Sequence, residues 1–339
     1  MKRVTTVDIA EKLGVSPATV SLALNDDPRV AGETKRKVKE LAAELKYSPN
    51  YLASSLRTRK TKVIGLILPS IANPFYPEIV WGVDQVAKEA GYNVLLCNTY
   101  RDPVQETELV RLLIRKQVDG IIFASMHKTI QIDWLEELAK SGIKAVCLNK
   151  QTDIPWIDSV SIDFLSGGHL ATRHLIELGH RQIAYIGSQT SNRRAGYEKA
   201  LQEAGISVDP EIICLFPNTD YQLDELTYCI TRELLRKHPE VTGIFAYNDL
   251  AAVGVIRAIK EHGLIIPRAI SVIGFDDLFF ARLADPPLTT VWQPTFEVGI
   301  QATKMLLERI NNPDSKEKCE IVHTPKLIIR GSTGACIIV

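Results

Sequence analysis

The chain lacks the short motifs that assign a sequence to the common classes of enzyme. None of the patterns GxGxxG, GxxxxGK[ST], GxSxG or HExxH occurs among its 339 residues. Such motifs place backbone N–H groups around a phosphate, expose a nucleophilic serine or hold a zinc ion. Their absence removes the simplest nucleotide-binding, hydrolase and metalloprotease hypotheses.

Cysteine and histidine patterns typical of disulfides or metal sites are also missing. The six cysteines show no CxxC spacing, and we expect them to be reduced in the cytosol. They are Cys97, Cys147, Cys214, Cys229, Cys319 and Cys336. The nearby histidines His169, His174 and His180 are five and six residues apart, which does not place them on one helix face. We therefore expect no metal site and no cofactor.

A long apolar run is absent as well. No stretch approaches the roughly 18 apolar residues of a membrane-spanning helix, and the N-terminus lacks the apolar segment of a signal peptide. We therefore expect a cytoplasmic protein with no membrane partner.

The formal net charge is zero, but the charges are unevenly distributed along the chain. Residues 1–60 hold twelve Lys or Arg against seven Asp or Glu, whereas the remainder holds 28 against 33. A basic small domain joined to an acidic large one suits a polyanion bound at one end, with an affinity that falls as salt rises.

The basic segment predicts two short helices. The first spans Thr6 to Leu13 and places Ile9 and Ala10 on one apolar face. Gly14 ends this helix. The Ser16-Pro17 pair is a strong start signal for a second helix, which runs to about Leu24.

The connection between these helices indicates a helix-turn-helix, in which the second helix lies in the major groove of DNA. Only three residues separate the two helices, and Val15 and Val20 are placed to bury inward. A third helix, from about Thr34 to Lys46, would complete the small core. The candidate base-reading residues of the second helix are Pro17, Ala18, Ser21 and Leu22.

Motifs along almost the whole chain resemble those of the LacI/GalR family of bacterial transcription regulators. They include VDIAEKLGVSPATVSLALN, YSPNYLASSLR, IGLILPSIANPFY, ELGHRQIAYIG, RRAGYEKAL, FAYNDLAAVGVIRAI, ISVIGFDD, PPLTTVWQP and LIIRGST, in that order. Several independent motifs in the family's order make a chance match very improbable.

The resemblance implies that Asn50 to Arg57 form a hinge that becomes helical on DNA. In it Leu56 would enter the minor groove as an apolar wedge, and Ala53 beside it would let two hinges pack together. The alternative is that Leu56 is an ordinary linker residue. The full set of candidate DNA-binding residues is Thr5, Thr6, Ser16, Pro17, Ala18, Thr19, Ser21, Leu22, Asn25, Tyr47, Asn50, Ala53, Leu56 and Arg57.

Leu22 departs from the family pattern, because most relatives carry arginine at this position. An arginine there would make a bidentate contact to guanine, whereas leucine offers only apolar contact, as to a thymine methyl. We therefore expect an operator whose half-sites differ from the common family sequence at that base.

Beyond residue 61, short apolar runs alternate with amphipathic patterns, which indicates βαβ units and parallel sheets. The predicted strands are Val63–Leu68, Asn93–Cys97, Gly120–Phe123, Lys144–Leu148, Ser159–Ile162, Gln182–Gly187, Gly243–Ala246 and Ile270–Phe275. The predicted helices are Glu78–Ala90, Val104–Lys116, Leu165–Leu178, Arg194–Ala204, Leu223–Lys237 and Asp249–His262. This length exceeds one ordinary core, so we expect two subdomains.

The predicted fold is an all-α helix-turn-helix headpiece with a hinge helix, followed by an α/β domain. The resemblance implies that this α/β domain has the type I periplasmic-binding-protein architecture, with crossings near Asp163, Thr290 and Thr324. The expected boundaries are 1–48 for the headpiece, 49–60 for the hinge and linker, 61–162 with 291–323 for the N-terminal subdomain, 163–290 with 324–330 for the C-terminal subdomain, and 331–339 for a tail.

Polar residues follow the predicted strands, where ligands bind in open parallel sheets. The candidate effector-binding residues are Ser70, Asn73, Phe75, Asn149, Asp163, Arg193, Tyr221, Asn248 and Asp276. Carboxylates, amides and a guanidinium facing one another suit a neutral polyhydroxylated ligand, and an aromatic ring would cover its apolar face. Nucleobases and other small metabolites remain alternatives.

The resemblance favours Arg193 and Asp276 as the main effector contacts, with Asp163 and Tyr221 beside them. The alternative is that Arg193 and Asp276 form a purely structural salt bridge. Asp249 is explained as a helix N-cap. Phe164 stands where many relatives have asparagine, so polar binding from that position is not expected.

These features together predict a ligand-responsive repressor that binds a pseudo-palindromic operator as a homodimer, with a sugar as effector. Pairing is expected through the helices from Glu78 and from Val104, and the tail GSTGACIIV is too short for a tetramerising heptad. The alternatives are co-repression by a purine or other metabolite and, less favoured, a sugar-processing enzyme. A periplasmic sugar-binding protein would carry an export signal and would lack residues 1–60.

Overall fold

The structure is a computed structural model that describes residues 4–47, 60–124, 132–149, 154–188, 191–217, 219, 221–314 and 317–336. The chain forms two compact units, residues 1–61 and residues 62–339. Each unit is described by itself. Within the described parts of the chain, no helix is long and apolar enough to cross a membrane.

The small unit contains α1 (Thr6–Leu13), α2 (Pro17–Leu24) and α3 (Gly32–Glu44). The first two helices begin and end where the sequence predicts. Thr5 caps α1 in a capping box with Asp8, and Ser16 caps α2 by accepting a hydrogen bond from the backbone of Thr19. These local signals explain why the two helices are readable from the sequence.

The third helix differs from its prediction at both ends. It begins at Gly32 rather than Thr34, because the N–H of Lys35 already donates to the carbonyl of Ala31 at 3.0 Å. It ends before Lys46, whose φ of 50° lies in the left-handed region and cannot continue a helix. Residues from all three helices form the core, namely Ile9, Ala10, Val20, Ala23, Val38 and Ala42.

The large unit contains a six-stranded parallel sheet. Its strands are β1 (Val63–Leu68), β2 (Asn93–Asn98), β3 (Gly120–Phe123), β4 (Lys144–Leu148), β5 (Asp158–Ile162) and β11 (Glu320–His323). Their order is β11-β5-β4-β3-β1-β2. One face packs on α4 (Tyr76–Glu89) and α11 (Thr295–Asn311), and the other on α5 (Pro103–Arg115) and α6 (Ile132–Ser141). We call this sheet with its helices the first lobe.

A second parallel sheet has four strands, β6 (Ile183–Ser188), β7 (Ile213–Phe216), β8 (Gly243–Ala246) and β9 (Ser271–Ile273), in the order β7-β6-β8-β9. One face packs on α7 (Phe164–Glu177) and α8 (Asn192–Glu203), and the other on α9 (Leu223–Lys237) and α10 (Asp249–Glu261). We call this sheet with its helices the second lobe. Both lobes therefore have the α/β layering that the sequence predicts.

The chain passes between the two sheets after β5, before α11 and after β11. An antiparallel pair, β10 (Thr290–Trp292) with β12 (Lys326–Ile328), lies at two of these passages. Because residues 62–339 form one compact unit, the subdomain boundaries expected from the sequence stay predictions.

In the large unit, the segment Ile270–Phe275 and the expected C-terminal tail differ clearly from their predictions. The strand expected over Ile270–Phe275 is only β9, because the chain bends after Ile273 and Asp276 takes a φ of 110°. The described part of the expected tail, residues 331–336, is packed into the second lobe. There Ser332 is buried, and it accepts a hydrogen bond from the N–H of Val272 at 2.8 Å.

Candidate functional site

The candidate DNA-reading surface of the small unit is the N-terminal part of α2. Pro17 and Ala18 are exposed, and Ser21 and Leu22 are partly exposed. The hydroxyls of Ser16 and Thr19 bond each other at 2.9 Å. This face of the helix is therefore accessible, as insertion into a major groove requires.

Other candidate DNA contacts already have partners within the small unit. The hydroxyl of Thr5 donates to Asp8 at 2.7 Å, and the amide of Asn25 donates to the carbonyl of Ser21 at 2.8 Å. Thr6 and Tyr47 are partly exposed. The hinge candidates Asn50, Ala53, Leu56 and Arg57 lie outside the described residues.

The large unit places Arg193 at the start of α8, in the second lobe. Ser191 caps this helix by accepting a hydrogen bond from the backbone N–H of Arg193 at 3.1 Å. The guanidinium is buried. Its Nη1 donates to the carbonyl of Tyr247 at 3.0 Å, and its Nη2 donates to Oδ1 of Asp276 at 3.2 Å. Arg193 and Asp276 are far apart in the sequence, and the fold brings these two predicted effector residues together.

Aromatic rings surround the same guanidinium. Its central carbon lies 4.2 Å from the ring centroid of Phe275, 4.4 Å from that of Tyr247 and 5.0 Å from that of Phe164. These distances fall within the range of cation–π attraction. The rings fix the position of a cation that has little access to water.

Asp276 also receives a hydrogen bond from a residue that the sequence reasoning missed. The amide Nε2 of Gln293 donates to Oδ1 of Asp276 at 2.5 Å, and Gln293 is buried. The sequence signal was its place directly after β10 within the PPLTTVWQP motif. We call Arg193, Tyr247, Phe275, Asp276 and Gln293 the Arg193 cluster.

Two polar atoms of the Arg193 cluster are buried without a hydrogen-bond partner among the described residues. They are Nε of Arg193, a donor, and Oε1 of Gln293, an acceptor. Native structures satisfy most buried polar atoms, so each exception needs an explanation. A donor and an acceptor beside one carboxylate can bind a ligand group that both accepts and donates, such as a hydroxyl.

Asn248 and Asp249 have structural partners in the second lobe. The cap of α10 is Asn248, whose Oδ1 accepts from the N–H of Ala251 at 2.9 Å, so the expectation that Asp249 is the N-cap is wrong. Asp249 is fully buried one residue later. Its oxygens accept from the hydroxyl of Thr290 at 2.6 Å and from the N–H of Leu278 at 2.7 Å.

Burial raises the pKa of Asp249 well above its ordinary value, and the negative charge of Asp276 adds to this effect. The hydrogen bonds from Thr290 and Leu278 act in the opposite direction. The charged form of Asp249 is therefore disfavoured in the folded protein.

The candidate residues of the first lobe follow β1, β4 and β5. Asn73 is buried and accepts a hydrogen bond from the N–H of Phe75 at 3.0 Å, while the Phe75 ring lies in the core. Ser70 is partly exposed. The Oδ1 atom of Asn149 is buried and has no hydrogen-bond partner in the described parts of the chain.

Asp163 and Tyr221 lie outside the Arg193 cluster, and their predicted roles in effector binding stay predictions. Asp163 caps α7, with its two oxygens accepting from the backbone N–H of Ser166 at 2.9 Å and from its hydroxyl at 2.5 Å. Tyr221 is 78% exposed. Neither side chain contributes to the Arg193 cluster as it stands.

A small helix-turn-helix unit followed by an α/β unit with a buried polar cluster at its strand ends defines a DNA-binding regulator that carries a ligand-binding domain. Two family models match the chain accordingly. Residues 5–50 match "Bacterial regulatory proteins, lacI family", and residues 61–330 match "Periplasmic binding proteins and sugar binding domain of LacI family". The chain belongs to the LacI family and is a transcriptional regulator.

Relatives of similar length agree with this assignment. The chain is 38% identical over 332 residues to the HTH-type transcriptional regulator RegA of Clostridium saccharobutylicum, covering 96% of this chain and 98% of that protein. It is 36% identical over 345 residues to the HTH-type transcriptional repressor PurR of Haemophilus influenzae, covering 97% and 98%.

Solved structures give the same result. The lac repressor dimer bound to operator and the anti-inducer ONPF superimposes with a TM-score of 0.85 at 28% identity, covering 98% of this chain and all of that one. The transcriptional regulator CelR in complex with cellobiose gives a TM-score of 0.73 at 30% identity, covering 97% and 100%. A LacI family regulator from Enterococcus faecium with bound ribose gives 0.72 at 32%, covering 81% and 100%.

Proposed function

We propose that this regulator is a cytoplasmic repressor that binds a pseudo-palindromic operator as a homodimer and is switched by a neutral sugar held at the Arg193 cluster. In this proposal the protein binds its ligand without converting it. The proposed effector residues are Arg193, Asp276 and Gln293 in the second lobe and Asn149, whose buried Oδ1 is unpartnered among the described residues, in the first.

The observation that carries the proposal is the pair of unpartnered atoms beside Asp276, Nε of Arg193 and Oε1 of Gln293. Leaving a buried polar group unsatisfied costs about 1–3 kcal/mol, so ligand hydroxyls that pair with these atoms are favoured. Asp276 already balances the charge of Arg193. The cluster therefore favours an uncharged ligand over a sugar phosphate.

The ligands of related proteins support a sugar. Cellobiose and ribose are bound in two structures that are similar to this chain. A purine is the second candidate, because the PurR repressor of Haemophilus influenzae shares 36% identity with the chain. Purine control would make the protein a co-repressed rather than an induced regulator.

Exposed apolar side chains support the homodimer. On the first lobe, Trp81 of α4 is 66% exposed, and Tyr100 and Val104 are exposed at the start of α5. On the second lobe, a groove of about 620 Å³ is lined by apolar side chains that include Val253 and Leu283. Surfaces of this kind mark contacts between proteins. The operator would then consist of two half-sites related by the dimer's symmetry.

A thermal-shift screen tests the effector proposal. The probes are D-ribose, cellobiose, ribose 5-phosphate and hypoxanthine, because a ligand that binds the native state raises the melting temperature by mass action. We expect a neutral sugar to raise it in the wild-type protein and in Arg194→Ala, but not in Arg193→Ala. Arg194 is the matched control, since its side chain bonds Glu198 at 2.7 Å on the same helix. A shift that survives in Arg193→Ala would contradict the proposal.

Selection from random DNA tests the reading helix. The wild-type protein is expected to select half-sites that differ from the common family sequence at the base facing Leu22, and Leu22→Arg should restore a guanine there. Recovery of the same sequence by both proteins would show that position 22 does not read that base.

A further inference from the structure

Phe164 lies where the chain leaves the first lobe and enters the second. It is the first residue of α7 and follows Asp163, whose N–H donates to the carbonyl of His323 in the first lobe at 3.0 Å. The Phe164 side chain packs against a core cluster of the first lobe and also against a core cluster of the second lobe. One side chain thus contacts both lobes.

The same ring lies against the guanidinium of Arg193, at 5.0 Å from its central carbon. It is also 6.2 Å from the ring of Phe275, centroid to centroid. Of the aromatic rings around Arg193 described above, those of Tyr247 and Phe275 belong to the second lobe. Phe164 is the ring that also packs on the first lobe.

The spacing between these groups is fixed by the backbone. A Cβ atom on Gly168 would lie 2.2 Å from the carbonyl oxygen of Arg193, and one on Gly167 would lie 2.6 Å from the ring of Phe275. The first turns of α7 therefore approach the start of α8 and the ring of Phe275 as closely as a backbone can. The Phe164 ring has little freedom to move away from Arg193.

We propose that Phe164 is a positioning residue for Arg193, holding the guanidinium through a cation–π contact and connecting it to the core of the first lobe. A ligand that hydrogen-bonds Nε of Arg193 then binds a group whose position both lobes determine. The effect on ligand binding rests on the proposed function, whereas the contact between Phe164 and Arg193 does not.

A double-mutant cycle tests the contact without any ligand. Phe164→Leu keeps the apolar volume but removes the aromatic ring, and Phe164→Tyr keeps the ring. We expect Phe164→Leu to raise the unfolding equilibrium constant, measured in urea, about 3- to 10-fold more in the wild-type background than in Arg193→Met. Phe164→Tyr should leave it nearly unchanged. Arg193→Gln replaces Arg193→Met if that variant does not fold.

Phe279 provides the matched control, because it is a phenylalanine of the second lobe that is 62% exposed. Phe279→Leu should show no coupling to Arg193→Met. Additive effects of Phe164→Leu and Arg193→Met, equal to those of the control, would overturn the inference.

Calorimetric titration with D-ribose and with cellobiose tests the consequence for binding. For the sugar that binds, we expect Phe164→Leu to weaken the affinity about 3- to 10-fold and Phe164→Tyr to retain it. Equal affinity in Phe164→Leu and wild type would overturn the positioning role. Coupling in the urea cycle with no binding of either sugar would overturn the sugar assignment under the proposed function alone.

Discussion

Each lobe of the ligand-binding unit contains an ion pair between an arginine and a buried aspartate, and the two pairs differ in the geometry of their hydrogen bonds. In the first lobe, Nε and Nη2 of Arg309 donate to the two oxygens of Asp158 at 2.6 and 2.8 Å, and the N–H of Cys319 adds a third bond at 2.8 Å. In the second lobe, Nη2 of Arg193 donates to Oδ1 of Asp276 at 3.2 Å.

The difference separates a structural ion pair from a binding site. The pair of Asp158 and Arg309 connects β5 to the end of α11 and uses both carboxylate oxygens, so it has little left to offer a ligand. The pair of Arg193 and Asp276 shares its carboxylate with Gln293 and leaves Nε of Arg193 unpartnered. We therefore favour recognition over a purely structural role for the second pair.

The largest expected effect is on stability, and it belongs to the first lobe. Arg309→Met leaves the buried carboxylate of Asp158 without its cationic partner, which should lower the free energy of unfolding by about 3–5 kcal/mol. Arg193→Met should cost less, because the 3.2 Å bond from Arg193 to Asp276 is longer than either bond from Arg309 to Asp158. Urea unfolding of both variants measures how much free energy of unfolding each one loses. An equal or larger loss for Arg193→Met would show that the Arg193 pair contributes at least as much to stability as the Arg309 pair.

A smaller effect is expected for ligand affinity on changing Gln293. Gln293→Leu removes the unpartnered Oε1 and one donor to Asp276, which should weaken neutral-sugar binding about tenfold or more. The control is Gln301→Leu on α11, where the amide donates to Glu297 at 2.6 Å. Calorimetry measures the affinity of both variants for the neutral sugar. Similar affinities would show that Gln293 does not contribute to binding.

Asp249 should make the second lobe less stable as the pH rises. Its pKa is raised in the folded protein, so the folded state holds the proton more tightly than the unfolded chain. That contribution is complete below the unfolded pKa of about 4 and is lost as the pH rises through the folded pKa.

The test variant is Asp249→Asn, whose amide can accept from the N–H of Leu278 and donate to Thr290. It should be at least as stable as the wild type at pH 7, and its melting temperature should depend less on pH. Melting curves from pH 4 to 8 measure this. A less stable variant with unchanged pH dependence would show that Asp249 is charged in the folded protein.

The smallest effect is expected from two buried histidines of the second lobe. Burial lowers the pKa of His174 and that of His180. Their stabilisation is present above the unfolded pKa of about 6.5 and is lost as the pH falls through the lower folded values.

Both rings bond the C-terminal segment, His174 to the hydroxyl of Thr333 at 2.9 Å and His180 to the carbonyl of Gly334 at 3.1 Å. Hydrogen exchange of residues 331–336 should therefore quicken at pH 5 relative to pH 7, after correction for the intrinsic pH dependence. His180→Gln should show a smaller pH effect. Equal protection at both pH values would argue against this account.

The parts of the fold that were predictable have local signals. Capping residues mark α1 and α2, and the apolar runs of β1, β3, β4 and β8 match their strands residue for residue. The strands β10 and β12 have three residues each, too few to show an alternating pattern. The helix α11 was not predicted at all, and its N-cap residue Pro294 provides no side-chain cap that would mark its start.

The candidate site was predictable where it obeys a rule of topology. Arg193 and Asp276 follow parallel strands, and ligands bind at such ends. Gln293 follows β10, which belongs to the antiparallel pair, so the same rule does not find it. The hydrogen bonds from Thr290 and Leu278 to Asp249 join residues that are distant in sequence, so no local pattern predicts them.

The most direct test of the central claim is the melting-temperature shift caused by a neutral sugar in Arg309→Met and in Arg193→Met, measured side by side. Arg309→Met should melt at a much lower temperature and still show the shift. Arg193→Met should melt closer to the wild type and show none. A shift that persists in Arg193→Met and disappears in Arg309→Met would contradict the assignment of the binding role to the second lobe.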